Sequence, residues 1–417
     1  MNIDVKVTGV YAPAYMRKFS CTGSDCEDTC CANWDIDVDK RTFTKYCTIA
    51  DESLKNLIEQ YIVPHEENQK EVKFARILMG KSTYCPFLDS EKMCSIQKQV
   101  GEEYIPDICS MYPRVAKVID DKLEVVCTMS CPVVARIALL EPNQLLLQKV
   151  PNRIVTRNTS SHIYTVDKSK NDVSRSFYYL REFTIRWLQN HNYALKDRLL
   201  ILGLFFNEVQ KKKVHSKNNI IKIMKSFEEK FGRGNNITVK IPADMIKGTT
   251  TAVLSYLFNL YVKARASEKT QENSYFQLYT EVFEGLGLAP DQNDETFANK
   301  YTALHEDIFK SSTVNPEGIL ENYLINHTLL RFYPYEDTNS LFKWYFVMVL
   351  YYTLIKLHLV GISAYHKEGF TVDHVIKVIY LFSRNVEHAQ SFKDQMLEIL
   401  EHNNYYNMAF LTYLLKY

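Results

Sequence analysis

The placement of cysteine constrains this chain more than any other feature of its sequence. All ten cysteines lie at or before position 131 of the 417 residues. The first four fall within eleven residues, in the stretch CTGSDCEDTCCANW. The ten are Cys21, Cys26, Cys30, Cys31, Cys47, Cys85, Cys94, Cys109, Cys127 and Cys131. This asymmetry predicts a cysteine-built N-terminal module followed by a domain of different character.

Composition and apolar spacing predict a mostly α-helical fold. The chain has only 13 Gly and 12 Pro, which fits a protein with few tight turns. Residues 1–140 are predicted to form an irregular Cys-rich module with short β-strands, among them IDVKV and a hairpin in RVAKVIDDKLEVVCTM. Residues 141–417 are predicted to form an α-helical domain with a partner groove, which opens on a polar, Pro-punctuated connector at 141–172.

Apolar residues at helical spacing locate the helices of the second domain. The stretch GRGNNITVKIP is the clear non-helical break and can hold a short strand. Helices are expected in SRSFYYLREFTIRWLQNHN, LKDRLLILGLFFNEVQKKK, TTTAVLSYLFNLYVKARA and SYFQLYTEVFEGLGLAP, and at about 296–311, 316–331, 339–361, 371–389 and 391–401.

Charge and hydropathy exclude several classes of protein. The net charge is +1, so we expect no nucleic-acid partner, which would require clustered excess positive charge. The first residues lack an apolar h-region, which argues against a secretory signal. The apolar stretch at 344–362 carries Lys356 and His358, so we expect a buried core helix rather than membrane insertion. We therefore predict a cytoplasmic protein, in which disulfides are rare.

The cysteine spacing is typical of a metal centre. Thiolates are the preferred ligands of zinc and of iron–sulfur clusters. Cys26 and Cys30 fit a zinc pair, but no second close pair follows, and irregular long-range spacing suits a cluster. Adjacent cysteines point in different directions, so Cys30 and Cys31 are not both expected at one centre. Buried thiols remain the simplest interpretation of Cys47 and Cys127.

The residues around these cysteines resemble those of the flagellin lysine-N-methylase family, the FliB-like proteins. The resemblance lies in YAPAYMRKFSCTGSDCEDTCCANWDIDVDKRTFTKY, CPFLDSEKMCSIQKQVGEEYIPDICSMYPR and SCP. The cysteine module is also similar to small zinc- or iron-chelating proteins with a CxxCxxCC signature. In the helical half, LENYLINHTLLRFYPYE (320–336) and SRNVEHAQSF (383–392) resemble C-terminal segments of the same family.

The resemblance implies a protein-lysine N-methyltransferase. Its methyl donor would be S-adenosyl-L-methionine (SAM), and its substrate would be the ε-amines of lysines on flagellin or another surface protein. It also implies a [4Fe-4S] cluster, with zinc as the alternative. After SCP the family usually has an acidic residue, whereas this chain has Val133. The cysteines that match the family are Cys21, Cys26, Cys30, Cys31, Cys85, Cys94, Cys109 and Cys131.

Methyl transfer to lysine requires alignment of the reactants and a neutral amine. Candidate proton acceptors near the cysteine loops are Glu102, Tyr104 and Tyr112, with Glu103 and Asp107 beside them. The alternative for each is an ordinary solvated surface position.

Aromatic faces can hold a sulfonium or ammonium cation. Tyr11, Tyr15 and Trp34 flank the first cysteine block and are the candidates for binding SAM, with core packing as the alternative. The chain has no Gly-rich turn of the Rossmann type after a strand and no CxxxCxxC spacing. SAM would therefore bind by another route, and an open cluster iron is one hypothesis.

Two sets of polar residues lie in the family-like helical stretches. Arg384, Glu387 and His388 form one set, and a salt-bridged helix surface is its alternative interpretation. The second set is Asn322, Tyr323 and Asn326, which we interpret as buried anchors or ligand contacts.

Two functions of other classes remain open at this point. One is a non-catalytic zinc- or cluster-binding protein whose helical groove recruits a partner. The other is a cluster-based redox protein.

Overall fold

A computed structural model describes most of the chain between residues 8 and 416. Nothing is described for 33, 35, 67–69, 80–83, 120–121, 142, 152–163, 167–175, 214–215, 233–273, 288–300, 302, 306–307, 309–313 and 332–337. The predicted strand IDVKV, the stretch GRGNNITVKIP and the predicted helix in TTTAVLSYLFNLYVKARA all lie outside the described residues, as does most of 296–311.

The chain divides into two compact units, Met1–Thr165 and Val166–Tyr417. The division falls near the end of the connector predicted at 141–172 rather than at its start. The reason is a strand at Leu147–Val150, which pairs with Gly9–Pro13 and so ties the segment after residue 140 to the first unit. Hydrophobic periodicity does not show such long-range pairing, because it reports only the local conformation.

The first unit is more ordered than the predicted irregular module. Its strands are β1 (Gly9–Pro13), β2 (Ile36–Val38), β3 (Ile62–Pro64), β4 (Ala75–Ile77), β5 (Arg114–Ile119), β6 (Lys122–Cys127), β7 (Leu147–Val150) and β8 (Tyr164–Val166). Its helices are α1 (Lys40–Tyr46), α2 (Glu52–Tyr61), α3 (Ser95–Val100), α4 (Asp107–Met111) and α5 (Pro132–Leu139).

A five-stranded sheet in the order β7-β1-β6-β5-β8 forms the base of this unit. β5 and β6 make the predicted hairpin, with Arg114 opposite Cys127 in antiparallel register. β1 lies parallel to β6 and pairs Val10 with Leu123. Consecutive residues of β5 and β6 are buried, so both faces of the sheet are covered at these two strands.

A second, three-stranded sheet in the order β2-β4-β3 lies among the cysteine loops. Two short helices next to it start at aspartates that cap them. Asp39 Oδ1 accepts a hydrogen bond from the N–H of Thr42 at 2.9 Å, and Asp51 does the same for Leu54 at 2.8 Å. These caps satisfy backbone donors that a short helix otherwise leaves unpaired. They explain why helices form in a region that hydrophobic periodicity alone predicts to be irregular.

The second unit is helical, as predicted. The predicted helices that fall on described residues are found with shifted ends, and two further helices, Lys217–Phe231 and Met408–Lys416, were not predicted. The described helices are α6 (Phe177–Leu188), α7 (Leu195–Lys211), α8 (Lys217–Phe231), α9 (Ser274–Leu286), α10 (Pro316–Arg331), α11 (Thr338–His366), α12 (Val372–Phe382), α13 (Gln390–His402) and α14 (Met408–Lys416). A π-helical turn, Ser383–Glu387, follows α12 directly.

The core of this unit is built around α11. By length and composition the segment Leu341–Gly369 is able to cross a membrane, but 94% of its most apolar window is buried inside the fold. Lys356 and His358 are buried with it. This matches the predicted core helix, because an apolar helix that is covered on all sides is typical of the centre of a helical domain.

Candidate functional site

Thiols from distant loops of the first unit come together around Cys30. Cys30 lies close enough to Cys26, Cys85, Cys94 and Cys131 for the charges of their thiolates to interact. Cys21 is close to Cys26 in the same way. Positions as far apart in the chain as Cys26 and Cys131 therefore lie in one region.

The neighbouring cysteines have different environments. Cys31 packs against the apolar cluster around Phe87, and its carbonyl accepts a hydrogen bond from the N–H of Cys85 at 2.8 Å. Cys127 is buried, as expected, whereas Cys47 is exposed and the expectation of a buried thiol there is wrong. Cys47 is the first residue after α1, where its side chain turns out towards solvent. None of the ten cysteines forms a disulfide.

Burial raises the pKa of the clustered thiols. The pKa of Cys85 rises to about 11 and that of Cys131 to about 12, and Cys94 shifts in the same direction. Hydrogen bonds from backbone N–H groups act against this rise in pKa. The N–H of Phe87 donates to the thiol of Cys85, and the N–H groups of Val133 and Val134 donate to that of Cys131. A bound cation would keep such thiols deprotonated, and N–H donors aimed at sulfur are typical of metal thiolates.

The side chains in this region are of the types that bind metals, but they are not arranged as a closed metal site. In the described part of the chain, no three His, Cys, Asp or Glu side chains converge closely enough to hold a metal ion. Tyr46 is 4% exposed and lies near Cys85, Cys94 and Cys109. Its hydroxyl has no hydrogen-bond partner among the described residues. A buried phenol without an acceptor is costly, and a metal-bound thiolate or a cluster sulfide would satisfy it.

An aspartate joins two of the short helices that frame this region. Asp39 caps α1, and its Oδ2 accepts a hydrogen bond at 3.0 Å from the N–H of Asp107, the first residue of α4. Arg41 pairs with the carboxylate of Asp107. These contacts hold α4, which carries Cys109, against α1. Asp107 is thus engaged in structure rather than positioned as a proton acceptor.

The three candidate proton acceptors have separate surroundings. Glu102 is exposed, and the Ser110 hydroxyl reaches it at 3.4 Å. Tyr104 is half-buried below the ammonium group of Lys45, 5.4 Å from the ring centre. Tyr112 shares a hydrogen bond of 3.0 Å with Ser130, next to Cys131. Tyr104 packs against the apolar cluster that contains Cys85, and Tyr112 lies beside Trp34, which donates to the carbonyl of Cys30.

The candidate aromatic residues also differ. Tyr15 is fully buried, and its hydroxyl accepts a hydrogen bond from the N–H of Cys127, which is the contact of a core residue. Tyr11 is half-buried in β1, with Lys122 over its ring. Trp34 donates from Nε1 to the carbonyl of Cys30 at 2.6 Å and lies 6.0 Å from the ring of Tyr112. Trp34 and Tyr112 therefore form an aromatic wall beside Cys30.

A second polar site lies in the helical unit, where the two family-like stretches meet. The hydroxyl of Tyr323 on α10 donates to Glu387 at the end of the π-helical turn. Ser383 donates to the same carboxylate oxygen at 3.2 Å. Burial raises the pKa of Glu387, although Arg331 and the two hydroxyl donors oppose the shift.

The sequence analysis named these residues separately but did not join them. Tyr323 and Glu387 are 64 positions apart, and a surface salt bridge within one helix was the simpler interpretation of Glu387. The signal available in the sequence was the shared family resemblance of the two stretches. Of the second polar set, Asn326 and Tyr323 are buried, as expected for anchors.

Comparison with known proteins gives one family. The model of the FliB lysine N-methylase C-terminal domain matches residues 181–414, more than half of the chain. No solved structure shows a significant match.

The curated relatives carry related names. A lysine-N-methylase of Salmonella typhimurium is 30% identical over 148 residues, which are 35% of this chain and 36% of that protein. The flagellar biosynthetic protein FliU of Salmonella muenchen is 30% identical over 146 residues, 34% of this chain and 84% of that protein. The chain thus spans little more than a third of the length of the lysine-N-methylase that it matches.

Proposed function

This chain belongs to the FliB lysine N-methylase family, and on that premise we propose that it is a SAM-dependent protein-lysine N-methyltransferase. The observation that carries the proposal is the family match over 181–414. It is supported by the name of the lysine-N-methylase relative. Methyl transfer from SAM to lysine does not require a covalent intermediate with the protein. It requires a neutral amine aligned with the methyl group and the sulfur that carries it.

We propose flagellin as the substrate, with another surface protein as the alternative. The name of the FliU relative, a flagellar biosynthetic protein, supports this choice. We place the reaction in the cytoplasm, where the clustered thiols would stay reduced.

The proposed cofactor is a [4Fe-4S] cluster, with zinc as the alternative. Cys30 would hold it together with thiols drawn from Cys26, Cys85, Cys94 and Cys131, because such a cluster takes no more than four cysteines. The convergence of these thiols on Cys30, their N–H donors and the buried hydroxyl of Tyr46 support this assignment. When bound, a cluster with one iron not held by cysteine would supply a Lewis acid.

The residues of the first unit would exclude water from such a centre. Trp34 and Tyr112 cover the side of Cys30, and Ser130 fixes the ring of Tyr112. Tyr46 would donate to a sulfur on the side of Cys85, Cys94 and Cys109. Low exposure and hydrogen bonds to sulfur are the means by which a protein sets the reduction potential of a cluster.

The test uses full-length protein purified without oxygen. Tritiated methyl from SAM is followed onto purified unmethylated flagellin, with iron content and SAM binding measured on the same sample. We expect labelled N-methyllysine and iron in the wild type. Cys30→Ser should lose most of the iron and the methylation. Cys47→Ser, an exposed thiol outside the group around Cys30, is the matched control and should keep both.

The outcomes separate the parts of the proposal. Iron without any methylated lysine contradicts the enzyme and favours a binding or redox protein. Methylation by metal-free protein contradicts the cluster alone.

A further inference from the structure

The two helical segments that resemble the family meet at one carboxylate. Tyr323 comes from 320–336 and Glu387 from 383–392, and the hydroxyl of Tyr323 donates to Oε1 of Glu387. Ser383, one turn before Glu387, donates to the same oxygen at 3.2 Å. Two hydroxyls from different helices therefore fix the position of this side chain.

The backbone at Glu387 is unusual. The chain leaves the α-helical path of α12 at Ser383 and makes a π-helical turn through Glu387. π turns are rare and occur often at functional sites, because the extra residue turns a side chain away from the regular helix face. Here the turn ends at the residue that Tyr323 and Ser383 hold.

One oxygen of this carboxylate is left for a further partner. Both hydroxyls donate to Oε1, and within the described part of the chain no donor reaches Oε2 and no cation forms an ion pair with Glu387. The side chain is only partly buried. A half-buried carboxylate with an open oxygen is suited to bind an ammonium group.

Charged and titratable groups lie near Glu387 on α10, on α11 and on its own turn, and α13 adds Asp394, which acts on Tyr351. Arg331 and Tyr323 face it from α10, and Tyr351 faces it from α11. Arg384 and the exposed His388 come from its own turn and the residue after it. The positive charge of Arg331 favours loss of a proton from a lysine bound beside Glu387, while burial raises the pKa of Glu387 and makes it a better base.

We propose that Glu387 binds the ε-ammonium group of the substrate lysine and accepts its proton before methyl transfer. The inference rests on the proposed methyltransferase function and adds the catalytic base to it. The candidate bases named from the sequence lie near the cysteine loops. Glu387 lies instead in the helical unit, where Tyr323 and Ser383 donate hydrogen bonds to it.

The proton transfer and the methyl transfer balance as follows. Glu387 takes a proton from the ammonium group, which leaves a neutral amine and a carboxylic acid. The nitrogen lone pair then forms a bond to the methyl carbon of SAM while the C–S bond breaks and its electron pair stays on sulfur. Glu387 afterwards returns its proton to water. No oxidant or reductant takes part.

The experiment measures kcat and KM for flagellin methylation between pH 6 and 9.5. Glu387→Gln should lower kcat at neutral pH by about 100-fold or more, the range of general base catalysis, and leave SAM binding unchanged. Its remaining rate should rise with hydroxide concentration, because solvent must then remove the proton. Glu398→Gln, an exposed glutamate on α13, is the matched control and should behave as the wild type.

Two further variants keep the inference testable if Glu387→Gln folds poorly. Tyr323→Phe removes a donor that favours the charged carboxylate, so the acid limb of the kcat profile should move to higher pH. In Glu387→Ala, added formate should restore part of the rate. A wild-type rate in Glu387→Gln, or no movement of the acid limb in Tyr323→Phe, would overturn the inference. Absence of methylation by the wild type would instead contradict the proposed function itself.

Discussion

Arg198 is a buried cation that holds three helices of the second unit together. Its Nη1 lies 2.6 Å from a carboxylate oxygen of Glu321 and also donates to the carbonyl of Leu188 at the end of α6. His191 approaches the same carboxylate at 2.9 Å. Arg198 and Glu321 are both largely buried. The attraction between their charges therefore offsets the free-energy cost of removing each charge from water.

Glu321→Gln should therefore destabilise the protein strongly. The substitution keeps the shape of the side chain but removes the nearer and more deeply buried counter-charge of the Arg198 guanidinium, which leaves only Glu317 among the described residues, 3.7 Å from its Nη2. We expect the free energy of unfolding to fall by about 3 kcal/mol or more, measured by urea denaturation. Glu208→Gln, which breaks the exposed pair of Glu208 and Lys212, should change it by less than about 1 kcal/mol. Equal effects of the two substitutions would contradict this account.

Lys356 makes stability depend on pH. Burial in α11 lowers its pKa from 10.5 to about 7, and Lys196 adds to the shift. Between pH 7 and 10.5 the unfolded chain therefore holds a proton that the folded chain lacks, so stability rises with pH across this window. Below about pH 7 both states are protonated, and the folded state bears the full cost of the buried charge.

Lys356→Met should remove this dependence. The wild type is expected to gain about 2 kcal/mol of unfolding free energy between pH 7 and 9, and the variant should show no such slope. The variant should also be the more stable protein at pH 7. Lys343→Met, at an exposed position of the same helix, should keep the slope. Urea unfolding at several pH values measures all three proteins, and a slope unchanged in Lys356→Met would refute the assignment.

At the scale of elements, two glycines let α9 and α11 pack backbone against backbone. A methyl group on Gly285 would lie 1.9 Å from the carbonyl oxygen of Gly361, and one on Gly361 would lie 2.7 Å from that of Val282. No side chain fits such a gap. Gly287, two residues after Gly285, has a φ of +60° and ends the helix. Gly285 serves the close approach instead.

Gly285→Ala should destabilise the fold even though alanine favours helix. Helix propensity alone predicts a gain of up to about 1 kcal/mol. Forcing α9 away from α11 should outweigh it, with a net loss of about 1 to 3 kcal/mol in thermal or urea unfolding. Gly369→Ala, where an added methyl group meets nothing within 4 Å, is the control and should be neutral. A stabilised Gly285→Ala protein would show that the helices separate readily.

The helices were predictable because each long one carries a local apolar pattern. α6, α7, α10 and α11 all follow from spacing along the sequence. The π-helical turn did not follow, because a single added residue changes the periodicity too little to be seen in one sequence. The short strands β2 and β4 also escaped prediction, because three-residue strands exist only through their pairing.

On the scale of the whole molecule, cysteine content divides the chain in the same way as its packing does. All ten cysteines lie in the unit Met1–Thr165, and the unit Val166–Tyr417 has none. The cysteine pattern was enough to predict that the chain changes character after its first third. The carboxylate of Glu387 with its hydroxyl donors was not predictable, because it depends on tertiary contact between α10 and the turn after α12.

Removal of the proposed metal should therefore affect one unit only. A chelator under anaerobic conditions is expected to lower the temperature at which Met1–Thr165 unfolds, because a bound metal stabilises only the fold that holds it. The temperature at which Val166–Tyr417 unfolds should not change. Hydrogen exchange with peptide-level resolution measures both units in the intact protein, and equal loss of protection in α11 and around Cys30 would contradict the prediction.

The parallel pairing of β1 with β6 has a consequence for synthesis of the chain. Val10 pairs with Leu123, so the strand nearest the start of the chain has no neighbour on that side until its partner leaves the ribosome. At about 5 to 20 residues per second, the nascent thiols at positions 21–31 remain uncovered for about 5 to 20 s. Iron delivered during translation would therefore find these thiols accessible to solvent. Maleimide labelling of pulse-labelled nascent chains would measure how long the thiols stay accessible.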